Sequence, residues 1–114
     1  MTKKIVVTGL GTTSPLGGNV KDTWEALLAG ESGVRTIEAD WVAEHDLPVT
    51  FAGQIKVSPE EVMEKHELKR LDPSTQYALI AAKEAFEDAG SPDVAGERLG
   101  VDFATGIGGL WSLI

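Results

Sequence analysis

Apolar positions in this chain fall into two kinds of block, short β-branched runs and longer stripes at helical spacing. Residues 4 to 10 form the first block, in which Ile5, Val6 and Val7 run without a polar break; this predicts a strand covered on both faces. Asn19 is placed to cap a helix through Ala29, with Trp24, Leu27 and Leu28 at helical spacing and Gly30 just past its end. Residues 31 to 48 show no clear period. Val49 to Val57 alternates Phe51, Gly53 and Ile55 with Ala52, Gln54 and Lys56, which predicts a short strand. Ser58 and Glu61 have capping-box spacing around Pro59, so a short amphipathic helix is expected there. A second helix is expected to open at Asp72-Pro73, carry a stripe of Leu79, Ala82, Phe86 and Ala89, and stop at Gly90 and Pro92. Leu99 to Thr105 is the last predicted strand and feeds Gly106-Ile107-Gly108-Gly109. Strands alternating with helices define an α/β chain.

Composition narrows the function classes. The 114 residues suit one compact domain with a modest core, or an incomplete piece of a larger one. An apolar fraction of 42% is that of a soluble globular chain. The net charge of −8 argues against nucleic acid as a partner, because neutralising phosphates needs a basic surface. An anionic partner would need a local basic patch. The absence of cysteine removes disulfides, thiolate metal ligands and thiol nucleophiles. Lys3 and Lys4 precede an apolar run as in a signal peptide, but Thr8 and Gly9 interrupt it, and no stretch reaches membrane-spanning length. A cytoplasmic location with no membrane partner is expected.

The stretch Gly9-Leu10-Gly11-Thr12-Thr13-Ser14 partly matches the dinucleotide fingerprint G-x-G-x-x-G. Ser14 stands where the third glycine is needed, and Pro15 follows inside what would be the phosphate-binding helix. The variant T-G-x-x-x-G-x-G fails as well, since its later glycines would fall on Thr13 and Pro15. No acidic residue about twenty positions on ends a second strand to hold a ribose. A nucleotide-binding α/β domain is therefore the weakest reading kept.

Three segments carry a family resemblance: "VVTGLGTTSPLGGNVKDTWEALLAGESGV", "RLDPSTQYALIAAKEAFEDAG" and "RLGVDFATGIGG". In this order and spacing they resemble the N-terminal part of the β-ketoacyl-acyl-carrier-protein synthases, most of all the type II, chain-elongating enzymes. The resemblance implies a thiolase-like α-β-α-β-α layered fold and a homodimer, with residues 1–114 an apparently truncated N-terminal portion. It also implies acyl transfer from carrier protein to a cysteine, then decarboxylation of malonyl-carrier-protein to a carbanion that attacks the acyl thioester, a covalent mechanism. The cysteine and the histidines of that chemistry lie beyond the matched region, so no catalytic residue is assigned here and the chain alone is expected to be inactive. No cofactor and no metal are implied, the substrates being carried on the phosphopantetheine of acyl carrier protein.

Neither His45, in the aperiodic stretch, nor His66, on a charged helix, matches the family's histidine motifs, and each is expected at the surface. By resemblance, Ile107 lines and gates the acyl-chain pocket, with Gly106 and Gly108 giving it a mobile backbone; the residues alone allow a plain strand-to-helix turn. Lys65 and Lys69, and His66 and Arg70, are each four apart and form neighbouring rows on a helix. The matching stretch in the family is a docking patch for acidic carrier protein. On the residues alone, a solvated face neutralised by Glu61, Glu64 and Glu67 explains them better, and only the resemblance brings the docking reading level with it.

Asp102 departs from the family pattern, which favours a small or apolar residue there; a strand end or a buried partner would accommodate it. The apolar end, Trp111, Leu113 and Ile114, calls for cover and suggests truncation. The first strand is expected to need partners from outside the segment, leaving the piece poorly folded in isolation. Two readings follow: the opening segment of a condensing transferase, or a noncatalytic fragment that binds a synthase subunit or carrier protein.

Overall fold

The computed structural model describes residues 2–113. The chain divides into two compact units, Thr13–Ser58 and Met1–Thr12 with Pro59–Ile114.

In Thr13–Ser58, helix α1 spans Val20–Leu28. Asn19 caps it as expected, its side chain accepting from the Asp22 amide at 2.8 Å. Gly30, at φ +70, turns the chain so that its amide reaches Leu27 O and the Glu31 amide reaches Ala26 O. This is the Schellman closure, which needs a residue free to adopt positive φ. Strand β1, Val34–Thr36, pairs antiparallel with β2, Phe51–Gly53, with Val34 opposite Gly53 and Thr36 opposite Phe51. Helix α2, Asp40–Glu44, lies between them in sequence. The strand expected over 49–57 contracts to three residues because its partner offers only three. Pro15 packs on this ribbon: a Cβ at Gly33 would stand 2.7 Å from Pro15 Cβ, and one at Gly53 would stand 3.2 Å from Pro15 Cγ. Ala26 and Val42 are buried, whereas Trp24, Leu27 and Leu28 are exposed, so α1 packs through a small residue rather than through its large ones.

In the other unit, the helix expected after Ser58 is split. A 3-10 turn covers Pro59–Glu61, the backbone is extended at Glu64, and only then does α3, Lys65–Leu68, begin. Helix α4, Pro73–Asp88, matches its expected start and stop. Asp72 accepts from the Ser74 amide at 3.0 Å, and Gly90, at φ +83, closes the far end with the Ser91 amide on Phe86 O. The packed face of α4 matches the expected stripe only at Ala89. Leu79, Ala82 and Phe86 are exposed, and Ala81 and Ala85 join Ala89 in facing the glycine segment.

The strands expected over 4–10 and 99–105 are not formed, because β1 and β2 are the only paired strands among the described residues. A strand is stabilised by its partner's ladder, and an apolar run without one stays open. Ile5 is 96% exposed, and Val6, Val7, Leu99, Val101 and Phe103 are likewise exposed. Asp102 is exposed in this unpaired stretch, so neither a strand end nor a buried partner accounts for it. Trp111 and Leu113 are exposed too; Ile114 lies outside the described residues. Among the described residues no helix is long and apolar enough to cross a membrane. Helices with a small sheet agree with an α/β segment.

Candidate functional site

The glycine segment is filled by protein. A Cβ at Gly9 would run into Ala85 O and stand 2.6 Å from Ala89 N; one at Gly11 would run into Ala81 O and stand 2.6 Å from Ala85 N. The Leu10 amide donates to Asp88 Oδ2 and the Thr12 amide to Glu84 Oε2, each at 2.9 Å. Alternate residues of an extended chain advance roughly 6.6 Å and an i to i+4 helical step about 6.0 Å. Two rows of similar pitch can therefore keep in step along α4. Amides committed to two carboxylates leave no cradle for a phosphate, and the carboxylate charges would repel one. Ser14, the misfit in the dinucleotide pattern, closes a loop: its hydroxyl accepts from the Leu16 and Gly17 amides at 3.2 Å and contacts Thr23 Oγ1 at 2.8 Å.

The Gly106–Gly109 turn presents Ile107 outward, 77% exposed. Gly108 sits at φ +75, and its amide donates to Thr105 Oγ1 at 3.1 Å. A 3-10 turn, Leu110–Ser112, follows. It is fastened to α4 through Asp72, whose Oδ2 accepts from the Ser112 amide at 3.2 Å and the Ser112 hydroxyl at 3.1 Å. Asp72 Oδ1 meanwhile accepts from the Ser74 amide at 3.0 Å and the Ser74 hydroxyl at 2.9 Å. The Ser74 amide is the largest influence on this carboxyl. With the Ser74 hydroxyl and the Ser112 donors it holds the group below the usual aspartate range, against an opposing desolvation effect.

A lowered folded-state pKa means that the stability contributed by Asp72 is present above the unfolded value and is lost as pH falls through the lowered one. The gap in melting temperature between the parent protein and its Asp72→Asn variant is therefore expected to close below the ordinary aspartate value. A gap of constant size across that range would contradict this.

Lys65, His66, Lys69 and Arg70 are all exposed. Helix α3 is short, with Lys69 as its C-cap, but the Arg70 and Leu71 amides still reach Glu67 O, so the helical arrangement continues through Arg70. His66 and Arg70 accordingly border one open depression with Glu67 and Leu71. Behind it, the buried Gln76 donates to Leu68 O at 3.2 Å and Leu71 O at 2.9 Å, tying the end of α3 to α4. His45 is the exposed C-cap residue of α2. Among the described residues no cluster of His, Asp and Glu is placed to hold a metal.

A family model, the β-ketoacyl synthase N-terminal domain, matches residues 2–113. The chain belongs to this family. Similar proteins include 3-oxoacyl-[acyl-carrier-protein] synthase 2 of Staphylococcus aureus strain N315, 40% identical over 111 residues, and the enzyme of the same name from Coxiella burnetii, 36% identical over 111 residues. Each alignment covers 95% of this chain and 26% of the relative, so the chain spans about a quarter of those proteins' length. Within this β-ketoacyl synthase N-terminal domain, the structure brings His66 and Arg70 together on one surface and sets Ile107 in a turn fastened to α4. Sequence patterns did not reveal the Asp72–Ser112 link or the carboxylates that receive residues 10 and 12. The signal for the latter was present, as glycines two apart facing alanines four apart.

Proposed function

We propose that this chain is the opening segment of a 3-oxoacyl-acyl-carrier-protein synthase that elongates acyl chains in fatty-acid synthesis. The observation that carries this reading is the match along residues 2–113, with 36% to 40% identity to synthases of that name. The exposed apolar runs around Val6 and Val101 support a thiolase-like layered fold completed by the rest of the polypeptide, as a homodimer. The chain contains no cysteine, so the acyl-accepting thiolate and its histidine partners belong to that remainder. The reading gives this segment two supporting roles. Ile107, between Gly106 and Gly108, lines the acyl pocket, and Lys65, His66, Lys69 and Arg70 receive acidic carrier protein. Exposure of all four basic side chains supports docking, and electrostatic steering gives it a physical basis even on an acidic protein.

The test is condensation by the complete enzyme. Product is expected from acyl- and malonyl-carrier-protein, and its absence would end the synthase reading. Reversing Lys69 and Arg70 to glutamate is expected to raise KM for carrier protein about 5- to 30-fold at low salt, less at high salt, with kcat little changed. An unchanged KM would retire the docking role.

A further inference from the structure

The two oxygens of Asp72 are divided between two serines far apart in the chain: Oδ1 serves Ser74 at the start of α4, and Oδ2 serves Ser112 just beyond the Ile107 turn. We propose that Asp72 is a positioning residue that sets where Ile107 stands and thereby biases the enzyme's acyl-chain length; this rests on the acyl-pocket reading of Ile107.

The turn is pinned at two places and open between them. On one side the Gly108 amide is held by Thr105 Oγ1, and on the other Ser112 is held by Asp72. A Cβ built at Gly106 or Gly108 would meet nothing within 4 Å, so no packing at those positions supports the turn. At Gly109 a Cβ would stand 3.7 Å from the Asp72 side chain, which places the carboxylate directly beside the end of the turn. The anchor itself is firm. Asp72 begins a 16-residue helix that is packed on Gly9 and Gly11 and tied by Gln76 to Leu68 and Leu71. A loop without packing of its own takes its position from such pins, and displacing a pocket-lining side chain alters which ligands fit.

The experiment compares Asp72→Asn, Ser112→Ala and Ser74→Ala in the complete enzyme. Ser74→Ala removes a hydroxyl donor from the same carboxylate, but on the side of the helix cap. Two quantities are read: the ratio of kcat/KM for long against short acyl-carrier-protein, and hydrogen exchange over residues 106–112. Ser112→Ala and Asp72→Asn are expected to change the ratio about threefold or more and to speed exchange, while Ser74→Ala changes the ratio less than about twofold. Loss at every chain length alike, or unaltered exchange after Ser112→Ala, would overturn the proposal. Ile107→Phe serves as the reference. If it leaves the ratio unmoved, the pocket reading fails and the chain-length role of Asp72 fails with it. If Ile107→Phe moves the ratio and Ser112→Ala does not, the positioning role alone fails.

Discussion

Replacing Gly11 with alanine in the complete synthase is expected to lower the thermal unfolding midpoint markedly and to cut the soluble yield, whereas Gly96→Ala leaves both near the parent values. At Gly11 the new Cβ would run into Ala81 O and crowd Ala85 N at 2.6 Å, and both are backbone atoms of α4. A flexible side chain could swing aside, but a helix backbone can relieve the clash only by moving bodily. That movement would also stretch the bonds from the Leu10 and Thr12 amides to Asp88 and Glu84. Overpacking of this kind costs about 1–3 kcal/mol, more where backbone must shift. At Gly96 a Cβ would meet nothing within 4 Å and φ is not positive, so alanine there should stay within about 0.5 kcal/mol of the parent. Equal melting temperatures for the two variants would show that the glycine segment and α4 do not pack as described.

The same contact explains what the sequence could and could not disclose. Asn19, Gly30, Asp72, Pro73 and Gly90 marked the ends of α1 and α4 correctly because capping is local: each residue satisfies backbone groups within a few positions of itself. The inward face of α4 follows the apolar stripe only at Ala89, and turns Leu79 and Phe86 outward in favour of Ala81 and Ala85. Its neighbour is a glycine-bearing backbone, against which only alanines allow close approach. The strands over 4–10 and 99–105 had the right composition, but composition alone makes no ladder, and neither run is paired among the described residues. β1 and α2 are too short for any period to emerge. At the candidate site, Ile107 and the basic rows of α3 came from resemblance and spacing. The Asp72–Ser112 link joins residues forty positions apart and has no local signature, so only the fold reveals it.

The second large effect concerns Ile107. Substitution by phenylalanine in the complete synthase is expected to slow elongation of long acyl chains by about tenfold or more while sparing the shortest. An acyl pocket is filled progressively: a short chain ends before the obstruction and a long one must pass it. A rigid ring in place of a branched aliphatic side chain therefore acts as a stop, with a penalty that grows once the chain reaches it. The turn that carries Ile107 has open space at Gly106 and Gly108, so the ring could not be expected to distort packing within this segment. A uniform fall in rate at every length would thus point to disturbed folding rather than to a blocked pocket. Unaltered rates at every length would remove Ile107 from the pocket altogether. The discriminating measurement is kcat/KM against acyl length for parent and variant. The result that supports the pocket role is a ratio near one for the shortest chains that falls steeply beyond a definite length.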